Sequence, residues 1–471
     1  MTVSVLHVTL KMQRLLLRRT FSTTANQHAH FAGRYPVGVS QPVTISKRGI
    51  VHRWRTEEEE EIDMYVVGAA CSEIFGGQNL ARILRRGHEM EGEAIRELEN
   101  NDMARCLSIH TSAGTPSSLT SFLNVLSDHV PSKGEDWFAS LQLEGASAVW
   151  AAVDLLWQLQ QVRGDTHRNK VAVGEFSYHG PSTSSYGGKT SAVGKRENQI
   201  TYPVPALFSH RDVSNQEQVE AEAKDKFHHW LDTHGDEVAV MLVEPQWGSS
   251  VAAQPWSPEL LRHVIREAQN RGILVCADEI MCGLFRHGKG TMFLSEAWNL
   301  NVDAVTFGKS VACGMFPLSG TILSRGASEL RSAGKSVIQS HTYAGSSVRA
   351  LMTAEAVLKE LPKWTDHINR LEHVLCSGMK AFQDSSNGLF ISRGHGMMWG
   401  SIMDSDIDAE TRQRALKILK SKCKSHGVWP YFIPVGGVMV TPLLDASETD
   451  LKDAMSRLSE CAHDTAREIS L

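Results

Sequence analysis

The chain has 471 residues, 42% of them hydrophobic and 21% charged, and a formal net charge of -5. That composition is the one expected of a globular protein with a large core, and its near-neutral balance gives no electrostatic reason to expect nucleic acid or an anionic membrane as partner. No stretch reaches the roughly 18 to 20 uninterrupted apolar residues of a membrane span, and the eight cysteines include no CxxC pair, so neither a disulfide framework nor a metal site is expected.

The first acidic residue is Glu57, whereas the stretch before it carries Lys11, Arg14, Arg18, Arg19, Arg34, Lys47, Arg48, Arg53 and Arg55. On a helical wheel Lys11, Arg14 and Arg18 share one face and Leu6, Leu10 and Leu17 another, with Ser22, Thr23 and Thr24 following. This is the make-up of a mitochondrial transit peptide, expected over residues 1–25 and directing the chain to the matrix. A basic tail on a cytosolic protein, or initiation at Met12, gives the same pattern. The acidic run from Glu57 to Glu61 reads as a solvated face.

From about residue 104 the chain alternates strand-like and helix-like segments, which predicts an α/β domain with a mostly parallel sheet. Trp137 to Leu143 is strand-like, and Gly145-Ala146-Ser147 opens a helix with apolar Ala148, Ala152, Leu155 and Leu159. Backbone N–H groups at such a helix start form an anion site. Lys170 to Phe176 is the next strand, ending at Tyr178-His179-Gly180, and Val238 to Val243 is a third. Ser257-Pro258-Glu259 then supplies a cap, a first-turn proline and an early acid for a helix with Leu260, Leu261, Val264, Ile265 and Ala268 on one stripe, stopped by Gly272. Two further strands follow, Ile273 to Ala277 leading into Asp278, and Val302 to Gly308 leading into Lys309. A lysine and an aspartate at the carboxyl ends of parallel strands are what a pyridoxal 5'-phosphate site needs: an amine to hold the aldehyde and a carboxylate to hold the pyridinium proton. Further on, Leu371, Val374, Leu375 and Met379 form a helical core stripe, and Gly394 to Gly400 is expected to be the first central strand of a C-terminal layer.

Val243-Glu244-Pro245, Asp278-Glu279-Ile280-Met281-Cys282-Gly283, and Lys309 followed by Pro317-Leu318-Ser319-Gly320 occur in the order and spacing of the class III aminotransferases, the ornithine and ω-amino acid branch of the type I pyridoxal phosphate fold, which the chain resembles from about Asp63 to Leu444. The resemblance implies a large α/β domain at residues 104–345 and a small α+β domain made of residues 26–103 and 346–471. It also implies a homodimer with shared active sites. Within it, Lys309 would bind the cofactor and carry protons, Asp278 would hold the ring nitrogen, Gly145 and Ala146 would contact the phosphate through their backbone, and Tyr178 would stack on the ring. Glu244 would lie near the phenolic oxygen, and Thr342 would reach the phosphate of the neighbouring subunit. The chain departs from the family pattern at Glu144, Ala146 and Ser147, at Met281 where a glutamine is common, and at Met439 where many relatives carry a carboxylate-binding arginine. Arg286, Arg325, Arg349 and Arg393 are candidate substitutes, and Tyr65, Cys71 and Gln78 are candidate pocket residues.

The expected function is therefore transfer of an amino group from an amino acid or ω-amine to a keto acid or aldehyde. Two rivals stand beside it: an aminomutase, racemase or decarboxylase using the same cofactor, and a catalytically silent relative. A dinucleotide-dependent oxidoreductase is disfavoured, because no GxGxxG opens a helix after a strand.

Overall fold

The computed structural model describes residues 43–470 apart from 56–59, 69–70, 101–113, 132–135, 181–185, 187–195, 207–208, 335–346 and 434–435. Residues 1–25, expected to target the chain, lie outside this set, as does Thr342. The described residues fall into two compact units, one from positions up to 47 with 52–64, the other from 48–51 with those from 65 onward. In the smaller unit, surface pairs Arg53–Asp63 (2.9 Å) and Arg55–Glu61 (3.0 Å) link neighbouring strands, an arrangement worth little in water.

The larger unit is built on seven strands: β1 (Phe138–Gln142), β2 (Lys170–Gly174), β3 (Gln199–Tyr202), β4 (Val238–Val243), β5 (Leu274–Asp278), β6 (Ala304–Phe307) and β7 (Ser319–Leu323). Their order is β1-β7-β6-β5-β4-β2-β3. The run from β6 to β3 is parallel, and β7 lies antiparallel between β1 and β6. The expected α/β sheet is therefore present, with one antiparallel strand in it. Every residue of β4 is buried, which follows from its apolar run and from cover on both faces. Val238, Met241 and Val243 join one core cluster and Ala239, Val240 and Leu242 the other.

Among the helices are α1 (Gly77–Asn100), α2 (Gly145–Val162), α3 (Pro258–Asn270), α4 (Val348–Glu360), α5 (Thr365–Ser385) and α6 (Glu448–Ile469); α2 and α3 pack against the seven-stranded sheet. α2 packs Val149, Ala152, Val153 and Leu156 into one cluster, while α3 packs Leu261, Val264 and Ile265 into the other. The start of α3 is the one its sequence specifies: Ser257 Oγ accepts from Leu260 N (3.4 Å), with Pro258 in the first turn. Gly272, at φ +76°, follows the helix.

The C-terminal layer is a sheet of β8 (Phe390–His395), β9 (Met398–Met403), β10 (Tyr431–Ile433) and β11 (Gly437–Val440), in the order β8-β9-β11-β10. Here one expectation fails. Gly394 to Gly400 is not a single strand but a hairpin, with His395 opposite Met398. The chain reverses at Gly396, which takes φ +59° and whose missing side chain admits the backbone of His287. The apolar run hid a turn, because a glycine in a strand-like stretch marks a bulge or reversal as readily as a close approach.

Candidate active site

All the described members of the expected site lie at or follow the carboxyl ends of strands that run the same way in one sheet. Gly145 and Ala146 follow β1, Tyr178 follows β2, Glu244 follows β4, Asp278 ends β5 and Lys309 follows β6. Register aligns them, since Val243 pairs with Ala277 and Asp278 with Thr306. Ligands of open parallel sheets bind beyond this edge.

At its centre Asp278 is 7% exposed and accepts from three groups: Oδ2 lies 2.6 Å from His179 Nδ1, and Oδ1 takes Thr306 Oγ1 at 3.0 Å and the Ile280 N–H at 3.1 Å. A carboxylate offers about four acceptor positions, so one remains for a further N–H donor. Burial alone pushes the Asp278 carboxyl up; the His179 hydrogen bond and charge, the Ile280 N–H and the Lys309 charge outweigh it, and the group is held below the ordinary carboxylate value. His179 is the mirror case. Burial pulls its imidazole down, and the bond to and charge of Asp278, with Glu244 behind, raise it overall. Each partner thus favours the charged form of the other. Neither His179, which lies in the Tyr178-His179-Gly180 motif, nor Thr306, which lies in the strand leading to Lys309, was expected to hold Asp278.

Glu244 accepts from the Tyr178 N–H (3.0 Å) through Oε1 and from the Gly248 N–H (3.2 Å) through Oε2. It ties the loop carrying Tyr178 to the loop leaving β4. Burial and then nearby Asp278 push its carboxyl up to about 7, against the opposing pull of His179 and the two N–H groups. Tyr178 itself is 43% exposed. Met281 Sδ lies where a side chain on Gly248 would stand, close to the Glu244 carboxylate.

Lys309 follows Gly308 in the left-handed region, at φ +48°, a conformation that costs a lysine on the order of 1 kcal/mol and that occurs where function demands it. Ile280 was also missed. Its side chain reaches the space that a Cβ on Gly145 would fill, with Cδ1 at 2.8 Å, and Cγ2 lies 3.6 Å from a Cβ built on Gly308. One apolar side chain therefore requires a glycine at the start of α2 and packs before the lysine.

Residues 87–462 match the family pattern described as aminotransferase class-III. The chain belongs to the class III aminotransferases. Acetylornithine aminotransferase of Xylella fastidiosa is 26% identical to this aminotransferase over 320 residues, 67% of this chain and 71% of that one. Gamma aminobutyrate transaminase 3 of Solanum lycopersicum is 25% identical over 351 residues, and the alignment spans 65% of its length. The solved ω-aminotransferase of Paracoccus denitrificans shares the fold, with a TM-score of 0.78 at 15% identity, covering 95% of this chain and 100% of that one.

Enzymes of this family depend on pyridoxal 5'-phosphate, and the residues of this aminotransferase fit it. The N-cap Glu144 makes no side-chain cap bond to α2, so the helix presents its first N–H groups to an anion. Glu144 itself is exposed, with Oε1 accepting from Ser147 Oγ (3.4 Å) in the first turn of α2. Asp278 keeps an acceptor position for a ring N–H. The candidate substrate arginines are accounted for otherwise: Arg286 donates to the carbonyls of Met397, Pro442 and Glu73, Arg349 pairs with Glu91, and Arg393 donates to Gln254 and the Ser209 carbonyl. Arg325 follows β7, whose end at Leu323 pairs with Ala304 at the start of β6; it therefore lies at the opposite edge of the sheet from Lys309. Met439 is fully buried. Tyr65 contacts Asp453 and Arg457, Cys71 is buried beside Met398, and Gln78 is exposed at the start of α1.

Proposed function

We propose that this class III aminotransferase passes an amino group from an amine or amino acid donor to a keto acid or aldehyde in two half-reactions, with Lys309 as the anchoring amine and proton carrier. The observation that carries this reading is Asp278, buried, hydrogen-bonded by Thr306 and held below the ordinary carboxylate value chiefly by His179, on the strand next to the one that ends before Lys309. Bound pyridoxal 5'-phosphate supplies a ring that accepts electrons from the substrate's reacting carbon. The chain's own residues supply the rest. Asp278 keeps a proton on the ring nitrogen, His179 and Thr306 fix the orientation of that carboxylate, and Tyr178, tethered through its N–H to Glu244, offers a face for the ring. Gly145 and Ala146 take the phosphate at the start of α2. Lys309 moves the proton between the substrate carbon and the cofactor. Lys309→Ala should remove transamination while the chain stays folded; full turnover by that variant would refute the role.

The engagement of Arg286, Arg349 and Arg393 elsewhere supports donors recognised without a guanidinium fork, such as amines lacking an α-carboxylate. Turnover of an amine that exceeds that of the matching α-amino acid would support this, and the reverse order would count against it. We further propose that the active unit is a homodimer in which Thr342 reaches the phosphate of the neighbouring subunit, and that residues 1–25 direct the chain to the mitochondrial matrix. Sedimentation of the purified chain tests the first, with a monomer that retains full activity as the contrary result. Imaging of a fluorescent protein fused to residues 1–25 tests the second, and a diffuse cytosolic signal would oppose it.

A further inference from the structure

Ser319 begins β7 and is fully buried between the two halves of the site. It stands opposite Gln142 at the end of β1, and its neighbour Gly320 stands opposite Phe307, two residues before Lys309. Its hydroxyl donates to the carbonyl of Glu144 at 2.6 Å, the same carbonyl that accepts the first helical bond of α2 from Ala148 N (3.1 Å). In a trans peptide the carbonyl and the following N–H point in opposite directions in one rigid plane. Fixing the Glu144 oxygen therefore fixes the direction of the Gly145 N–H, the first of the helix start. The Ser319 side chain also touches the lysine turn, since a Cβ built on Gly308 would lie 3.0 Å from Ser319 Cβ.

We infer that Ser319 is a positioning residue for phosphate binding: it aims the Gly145 N–H at the anion while packing against the glycine before Lys309. This rests on the reading of the start of α2 as the phosphate site. The test is Ser319→Ala in the full chain, with the dissociation constants of pyridoxal 5'-phosphate and of pyridoxal, which lacks the phosphate, measured side by side along with the melting temperature of the ligand-free protein. Loss of one neutral hydrogen bond predicts an affinity for pyridoxal 5'-phosphate weakened by roughly 3- to 10-fold, unchanged affinity for pyridoxal, and recovery in Ser319→Thr, which keeps the hydroxyl. Equal weakening of both ligands, or of neither, overturns the inference and leaves Ser319 a packing residue. Should the alanine variant not fold, Ser319→Cys, with a weaker donor at the same place, is read by the same ratio. Failure of the unaltered chain to bind pyridoxal 5'-phosphate would overturn the reading of the site itself, a result distinct from a changed ratio.

Discussion

Helix α3 and the turn from Gly308 to Cys313 belong to one sheet unit and follow opposite rules. In α3 every local signal agrees: the Ser257 cap, Pro258, the acid Glu259, a stripe of five buried apolar residues and Gly272 behind it. At Gly308 the signals conflict. A lysine and then Cys313 take left-handed backbone, and the polar Ser310 is buried between them. The conflict is not confined to this turn. Of the nine non-glycine residues with positive φ among those described, six (Ala252, Ala253, Leu284, Phe285, Lys309 and Cys313) lie in the loops after β4, β5 and β6. Local rules hold where the chain only has to fold and are broken at the edge where chemistry is placed.

The comparison can be broken most severely at Asp278. Asp278→Ala takes away the hydrogen bond and charge that raise His179, so the buried imidazole is left neutral and without that partner; this predicts a loss of about 1 to 3 kcal/mol in denaturant unfolding, together with a fall in kcat of at least about 10²-fold. A stable, active variant would show that the pair is dispensable. In α3, Leu261→Ala should cost about 2 to 5 kcal/mol through the cavity it opens, and leave the affinity for pyridoxal 5'-phosphate as it was. If that affinity fell as well, the helix would belong to the site and not only to its support.

A pH dependence sharpens the contrast further. Glu279, next to Asp278, accepts from the N–H groups of Leu294 and Ser295, and burial pushes its carboxyl up to about 7. A folded carboxyl held up in this way keeps a proton that the unfolded chain has already released, so the stability it contributes is present below about pH 4.5 and is lost as pH rises to about 7. Glu279→Gln should flatten that decline by up to about 3 kcal/mol between pH 5 and 8, read from unfolding midpoints at both; an unchanged slope would place the titration elsewhere. The smallest expected effect is at Lys309 itself. Lys309→Gly relieves the left-handed backbone and should raise the stability of the ligand-free chain by about 1 kcal/mol or less while removing activity. A lower melting temperature would mean that the lysine's own contacts outweigh its strain.

The same contrast governs what was legible in the sequence. Strand β4, helix α3 and the residues at the strand ends could be read because each is written in a local pattern of burial, caps and stops. The partners of those residues could not. His179 meets Asp278 across 99 positions of sequence, and Ser319 meets Glu144 across 175; no periodicity links such pairs. Ile280 carried no assigned role in its motif, and only its approach to the missing Cβ of Gly145 shows it to be a wedge. The reversal at Gly396 was lost for a related reason: two short strands joined by only two residues, Gly396 and Met397, have the same alternation as one longer strand.

The central claim is that Lys309, held beside an ionised Asp278, makes this chain an amino-group carrier. It is tested most directly by the visible absorption of the purified protein with pyridoxal 5'-phosphate, followed as an amine donor and then a keto acid or aldehyde are added, with Lys309→Ala in parallel. The structure predicts a band from lysine-bound cofactor that disappears with a suitable donor, returns with the acceptor, and is missing from the variant. A band that forms normally in Lys309→Ala, or one that no donor in a broad panel converts, would contradict it.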